Sequence, residues 1–223
     1  MTPRAILFDL DVTLIDRVQS IQRYAERLQL DHADNLAAAR VNAITSAIVA
    51  ADGSGYRPRE DLFAELIECL PWQKPPDITH LRAHWDAWFA ASSVAREGLD
   101  ETLRALHAQG IRLGIVTNGA TRRQQAKIMH LQIQPYLSTV VISEAAQVKK
   151  PDPRIFAQAL NDVGCLAAQT WFVGDHPQND ILGAAASGLR AIWLAGFHSW
   201  PADHPEPQWQ IQHLSEIVQM VQE

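Results

Sequence analysis

The apolar runs of this chain do not alternate. Ala5–Phe8, Ile111–Thr117, Thr139–Ser143, Trp171–Val173 and Ala191–Leu194 are β-rich and close to continuously apolar, and each ends at a polar or glycine-containing turn. A strand with one face in water alternates with a period of two, whereas a strand covered on both faces does not. Helical patterns separate the later runs, at Asp100–Gln109, Thr121–Gln132, Pro153–Val163 and Asn179–Ser187. Gly110, Gly164 and Gly188 follow three of them, where a helix C-terminus favours glycine. Strand–helix alternation of this kind predicts an α/β, doubly wound, mainly parallel sheet with a Rossmann-like core. Residues 17–95 break the rhythm. They read as helix after helix (Arg17–Leu30, Asn35–Ala51, Arg59–Leu70, Ile78–Ser92), punctuated by "ADGSGYRP" and "PWQKPPD", with no strand pattern. The expected organisation is a core made of residues 1–16 and 96–223, with an all-helical domain inserted at 17–95.

Composition narrows the function. Hydrophobic residues are 47% and charged residues 20%, ordinary for a soluble globular protein. The formal charge of −6 argues against nucleic acid or an anionic membrane as the main partner. Cys69 and Cys165 stand far apart, in no metal-ligand spacing, and fit a reducing cytoplasm. No signal-peptide apolar core precedes Asp9, and no window approaches the apolar length of about 18 residues that a membrane span needs.

In a parallel α/β sheet the ligand crevice lies at the carboxyl ends of the strands. The first strand ends in Asp9-Leu10-Asp11-Val12-Thr13 and the second in Thr117-Asn118-Gly119. "VKKPDP", with Lys149 and Lys150, follows the third strand, and Gly174-Asp175 with Asp180 follows the fourth. Gathered at one edge, these acids need a cation, and hard oxygen ligands suit Mg²⁺. A hydroxyl, backbone amides and a lysine suit phosphoryl oxygens. Two carboxylates can divide the work of nucleophile and proton carrier.

Four segments in order, "FDLDVTLID", "GIVTNG", "KKPDPRIF" and "FVGDHPQND", carry a resemblance that spans nearly the whole chain. The chain resembles the haloacid dehalogenase superfamily of hydrolases, in the branch with a helical cap inserted after the first strand. The resemblance implies a Mg²⁺-dependent hydrolase of a small phosphomonoester that works through a phospho-aspartate. It implies Asp9 as nucleophile and Asp11 as general acid/base. It also implies Thr117, Asn118, Gly119 and Lys150 as the residues that bind the phosphoryl group. The metal ligands it implies are Asp9, Asp175 and the Asp11 carbonyl, with Asp180 supporting Lys150 or a metal-bound water. The expected partner is a small phosphorylated metabolite, with no nucleic acid and no membrane, and the protein acting as a monomer or homodimer in the cytoplasm. The cap is expected to close over the site.

Rivals of the same fold divide on particular residues. A 2-haloacid dehalogenase needs neither Mg²⁺ nor the second acid, and Asp11 is present. A phosphonatase needs a cap lysine for a Schiff base, and Lys74 is the one cap lysine, in a Pro-flanked loop. A sugar phosphomutase keeps both aspartates and stays open. A non-catalytic binding protein of this fold would be expected to have lost one of these residues.

Val12 departs from the glycine common at that position. A β-branched residue disfavours positive φ, so it predicts a loop without a left-handed turn there. His80 and His84 have the i, i+4 spacing of a zinc helix without its glutamate, and read as surface or cap-packing residues. Trp85, Trp88 and Phe89 read as cap core, His176 as a turn residue, and Arg57 and Arg59 as surface.

Overall fold

The computed structural model describes residues 2–222. In chain order, β1 (Ala5–Phe8) and β2 (Ile15–Asp16) are followed by α1 (Arg17–Asp31), α2 (Val41–Asp52), α3 (Arg59–Cys69) and α4 (Ile78–Trp88). Next come β3 (Val94–Ala95), α5 (Leu99–Ala108), β4 (Arg112–Thr117), α6 (Thr121–His130), β5 (Leu137–Ile142), α7 (Ser143–Ala146) and α8 (Pro153–Val163). The last are β6 (Thr170–Gly174), α9 (Gly183–Ala186), β7 (Arg190–Leu194), β8 (Gln210–Ile211) and α10 (Glu216–Gln222). The chain divides into two compact units, Met1–Asp16 with Ala95–Glu223, and Arg17–Val94. Among the described residues no helix is long and apolar enough to cross a membrane.

The first unit is built on a six-stranded sheet in the order β5-β4-β1-β6-β7-β8. Every pairing in it is parallel. β1 lies between β4 and β6, and successive side chains of β1 enter opposite apolar layers. Ile6 and Phe8 pack with Leu103, Leu106 and Ile115 on one face. Ala5 and Leu7 pack with Ile155, Phe156 and Ala184 on the other. Both layers are buried, which is why the run is apolar without alternation. Phe8 pairs with Ile115 on one side and Val173 on the other, so β1, β4 and β6 end within two residues of one another.

The second unit packs α1–α4 around Tyr24, Leu28, Ile48, Phe63 and Trp85. Trp85 and Phe89 stack at 3.9 Å between centroids, while Arg27 covers the more exposed Trp88. His84 is fixed by Tyr24 (3.0 Å) and Asp31 (3.1 Å), a packing role. Arg59 is not a free surface cation: with Arg17 it neutralises buried Asp52, at 2.9 and 2.7 Å.

The structure corrects the expectation at Val12, whose φ is +67°. The chain must reverse as soon as β1 ends, and the amides of Leu14 and Ile15 both donate to the Leu10 carbonyl, at 3.0 and 3.1 Å. That reversal requires a left-handed residue, and Val12 supplies it. The strain is about 1–3 kcal/mol. It is offset by the burial of the Val12 side chain, which is 3% exposed and worth about 1.5–3 kcal/mol. The Arg96 guanidinium also donates to the carbonyls of Val12 and Thr13, pinning the turn. The reading of Asn179–Ser187 as one helix also changes: a π-helical turn at Pro177–Leu182 precedes α9.

Candidate active site

The site is assembled where β1, β4 and β6 end. Asp9 follows β1 directly, and its amide donates to the Val173 carbonyl (2.9 Å), which sets it beside the end of β6. Lys150, 2% exposed, donates to Asp9 (2.6 Å) and Asp180 (2.7 Å). An ammonium so deep is tolerable only because it is paired. Burial alone would lower its pKa, but the charges of Asp180 and Asp9 outweigh that and raise it.

Asp9, Asp175 and Asp180 are buried, and each offers an oxygen within 4.8 Å of the others. Among the described residues no other group of three His, Cys, Asp or Glu side chains has this geometry. Burial pushes the Asp9 carboxyl up to about 7 in spite of Lys150, with Asp180 and Asp11 adding to the rise. Burial also raises Asp175 and Asp180. A cluster that resists ionisation when dry is one that a cation would stabilise.

Each member is held. Asp175 accepts from the Thr13 hydroxyl at 3.0 Å, has His198 at 3.3 Å, and takes the Trp193 indole N–H on its carbonyl at 2.8 Å. Asp180 accepts the His176 amide at 3.0 Å, and its fold back over β6 needs Gly174. A Cβ at position 174 would lie 2.5 Å from that of Asp180. His176 is half-buried and accepts the Asn179 amide through Nδ1 at 3.2 Å, so it caps the turn it begins.

Thr117 closes β4, buried, and its hydroxyl accepts from Gln124 Nε2 at 2.7 Å. Asn118 and Gly119 follow it directly. The Asn118 side chain brackets the Lys150 backbone, accepting its amide at 2.9 Å and donating to its carbonyl at 3.0 Å. The Gly119 amide donates to Ser143 Oγ at 2.9 Å and is thereby engaged. Sequence reasoning overlooked Thr13, Gln124, Lys127 and His198. Gln124 and Lys127 sit three apart on α6 and reach Asp11 from there. The pattern carried a partial signal: Gln124 stands four residues before Ile128, on the helix face buried against the sheet.

A family model described as haloacid dehalogenase-like hydrolase matches residues 6–194. The glyceraldehyde 3-phosphate phosphatase of Methanocaldococcus jannaschii is 29% identical over 224 residues, covering 98% of this chain and 96% of its own. That of Pyrococcus abyssi is 30% identical over 207 residues, covering 86% and 81%. Among solved structures, the HAD-hydrolase YfnB from Bacillus subtilis, determined with magnesium bound, superposes with a TM-score of 0.77 at 21% identity and covers 99% of both chains.

Proposed function

The chain belongs to the haloacid dehalogenase-like hydrolases, and from that premise we propose that it is a Mg²⁺-dependent phosphatase of a small phosphomonoester. The observation that carries the reading is the buried cluster of Asp9, Asp175 and Asp180 around Lys150, with Asp11 beside it. The phosphatase names of relatives 29–30% identical over most of the chain support it.

The donor set fits a hard divalent cation, because its ligands are carboxylate oxygens already within reach of one another. Asp9, Asp175 and the Asp11 carbonyl would hold Mg²⁺, which supplies the positive charge that keeps these carboxylates ionised beside a phosphate. Thr117 and Lys150 bind the phosphoryl oxygens by hydroxyl and ammonium. Asp180 and Asn118 keep Lys150 at the Asp9 carboxylate rather than in solvent. An Asp9 oxygen attacks phosphorus; the bond to the leaving oxygen breaks, and Asp11 passes its proton to that oxygen. In the second half a water oxygen attacks the same phosphorus, its proton returns to Asp11, and Asp9 is released. Thr13 fixes the direction in which Asp175 presents its oxygens.

The experiment is hydrolysis of an aryl phosphate with Mg²⁺ and with excess chelator, together with intact-protein mass after brief exposure. Activity should vanish with chelator. A phosphate adduct should persist on Asp11→Asn and be absent on Asp9→Asn. Full activity in chelator, or an adduct on Asp9→Asn, would overturn the reading.

A further inference from the structure

We infer that Gln124 and Lys127 form a positioning clamp that holds Asp11 and Thr117 in fixed relation through both halves of the reaction. The inference rests on the phosphatase reading above, in which Asp11 moves the proton and Thr117 grips the phosphoryl group.

The bonds interlock. Lys127 Nζ donates to Asp11 Oδ1 at 2.7 Å, to Asp11 Oδ2 at 2.8 Å and to Gln124 Oε1 at 2.9 Å. That last contact fixes which end of the Gln124 amide is oxygen. Its nitrogen therefore faces the other way, and donates to Asp11 Oδ2 at 2.9 Å and to Thr117 Oγ at 2.7 Å. One amide thus spans the two groups. Because Gln124 donates into the Thr117 oxygen, the hydroxyl keeps its own hydrogen for an acceptor elsewhere, as a phosphoryl oxygen requires. Asp11 faces donors at both oxygens, which sets the rotation of its carboxyl plane.

The clamp is built in rather than draped on the surface. Gln124 is 2% exposed and Lys127 is 7% exposed. Room for Gln124 depends on Gly119, where a Cβ would come within 3.0 Å of Gln124 Cγ and Cδ. The Gly119 amide is engaged by Ser143, so what this glycine contributes is space for the clamp. A buried ammonium is expensive unless paired, and Lys127 is paired with Asp11 in its carboxylate form, the form Asp11 takes once its proton has gone to the leaving oxygen. Asp11 is anchored from α6, an element separate from its own loop, whose turn is held by strained Val12.

A positioning role predicts a defect that depends on the leaving group. An aryl phosphate releases a phenolate that needs little protonation, whereas an alkyl phosphate releases an alkoxide that needs it. General acid–base help is worth about 10²–10⁴-fold, and loss of position should forfeit a part of that. Lys127→Met should lower kcat/KM for an alkyl phosphate by about tenfold or more and for p-nitrophenyl phosphate by no more than about threefold, while Gln124→Leu, which also releases Thr117, should lower both, the alkyl phosphate by at least about threefold more. With the aryl ester, kcat should fall more than kcat/KM, and a burst of phenolate should precede the steady state, since hydrolysis of the intermediate needs Asp11 as base. Lys127→Arg should recover part of the loss. Circular dichroism and melting establish that each variant is folded, and Gln124→Leu decides if Lys127→Met is not. Equal loss on both substrates by folded variants, or no loss on either, would overturn the clamp. Asp11→Asn, assayed alongside, separates the two failures. If it discriminates between leaving groups and the clamp variants do not, the clamp is wrong; if it does not discriminate, the acid/base reading itself is wrong.

Discussion

Replacing Asp9, the nucleophile of the proposed reaction, should stabilise the metal-free protein, and increasingly so as pH rises. Burial raises the Asp9 carboxyl from its ordinary 3.8 to about 7, although Lys150 lies 2.6 Å away. The folded chain therefore binds this proton more tightly than the unfolded chain. Stability is fully present below about 3.8, is lost as pH rises towards 7, and the loss is complete above it. At about 1.36 kcal/mol per pKa unit, the whole effect is on the order of 4 kcal/mol. Asp9→Asn keeps the shape and an oxygen for Lys150 without the charge. Between pH 5.5 and 8.5 its advantage over the parent should widen by about 2 kcal/mol, the part of the titration that lies above pH 5.5. For a chain of this size that is roughly 4–8 °C in Tm. The assay is thermal melting of both proteins in excess chelator at the two pH values. Added Mg²⁺ should then raise the parent more than the variant, through preferential binding to the folded form. An Asp9→Asn protein that is less stable at pH 8.5, or a gap that does not change with pH, would mean that Lys150 outweighs desolvation.

Three further outcomes follow from distances in the site. Gly174→Ala should destabilise by about 1–3 kcal/mol, because its Cβ would lie 2.5 Å from that of Asp180, and should lower kcat by displacing the support of Lys150; unaltered melting and turnover would refute this. Thr13→Val removes the 3.0 Å bond to Asp175 and should weaken Mg²⁺ binding by about 10–100-fold, read from Trp193 fluorescence during a metal titration; unchanged affinity would count against the orienting role. Val12→Gly should lie within about 1 kcal/mol of the parent in urea unfolding, because relief of strain offsets lost burial, whereas Val12→Ala keeps the strain and should be clearly less stable; the reverse order would contradict the account of the turn.

The parts of the site legible in the sequence are those whose position follows from a strand ending. Asp9, Thr117 and Asp175 each close a buried apolar run, and parallel pairing in this register brings such ends together. Lys150 was legible through its motif, but the bracket that Asn118 places around its backbone was not, since the two are |i−j| = 32 apart. Gln124 and Lys127 escaped notice because polar residues on a helix read as solvent-facing until the sheet beneath is known. Val12 misled for a different reason: propensity states what a turn would cost, and here burial and Arg96 meet that cost. The two-residue strands β2, β3 and β8 are too short to carry any period.

The central place of β1 has a consequence for how the chain comes into being. Its neighbours β4 and β6 are translated long after it, and the Thr13–Asp175 bond joins residues |i−j| = 162 apart. At about 5–20 residues per second a ribosome needs roughly 10–30 s to cover that separation. Through most of that interval Asp9 and Asp11 are made while Lys150 is not, and Asp175 comes only at its end. A nascent chain thus carries Asp9 without the groups that hold it in the folded protein, and one edge of its central strand stays open until β6 arrives. Chains arrested before Thr170 should be inert, and should depend on chaperones to shield that edge.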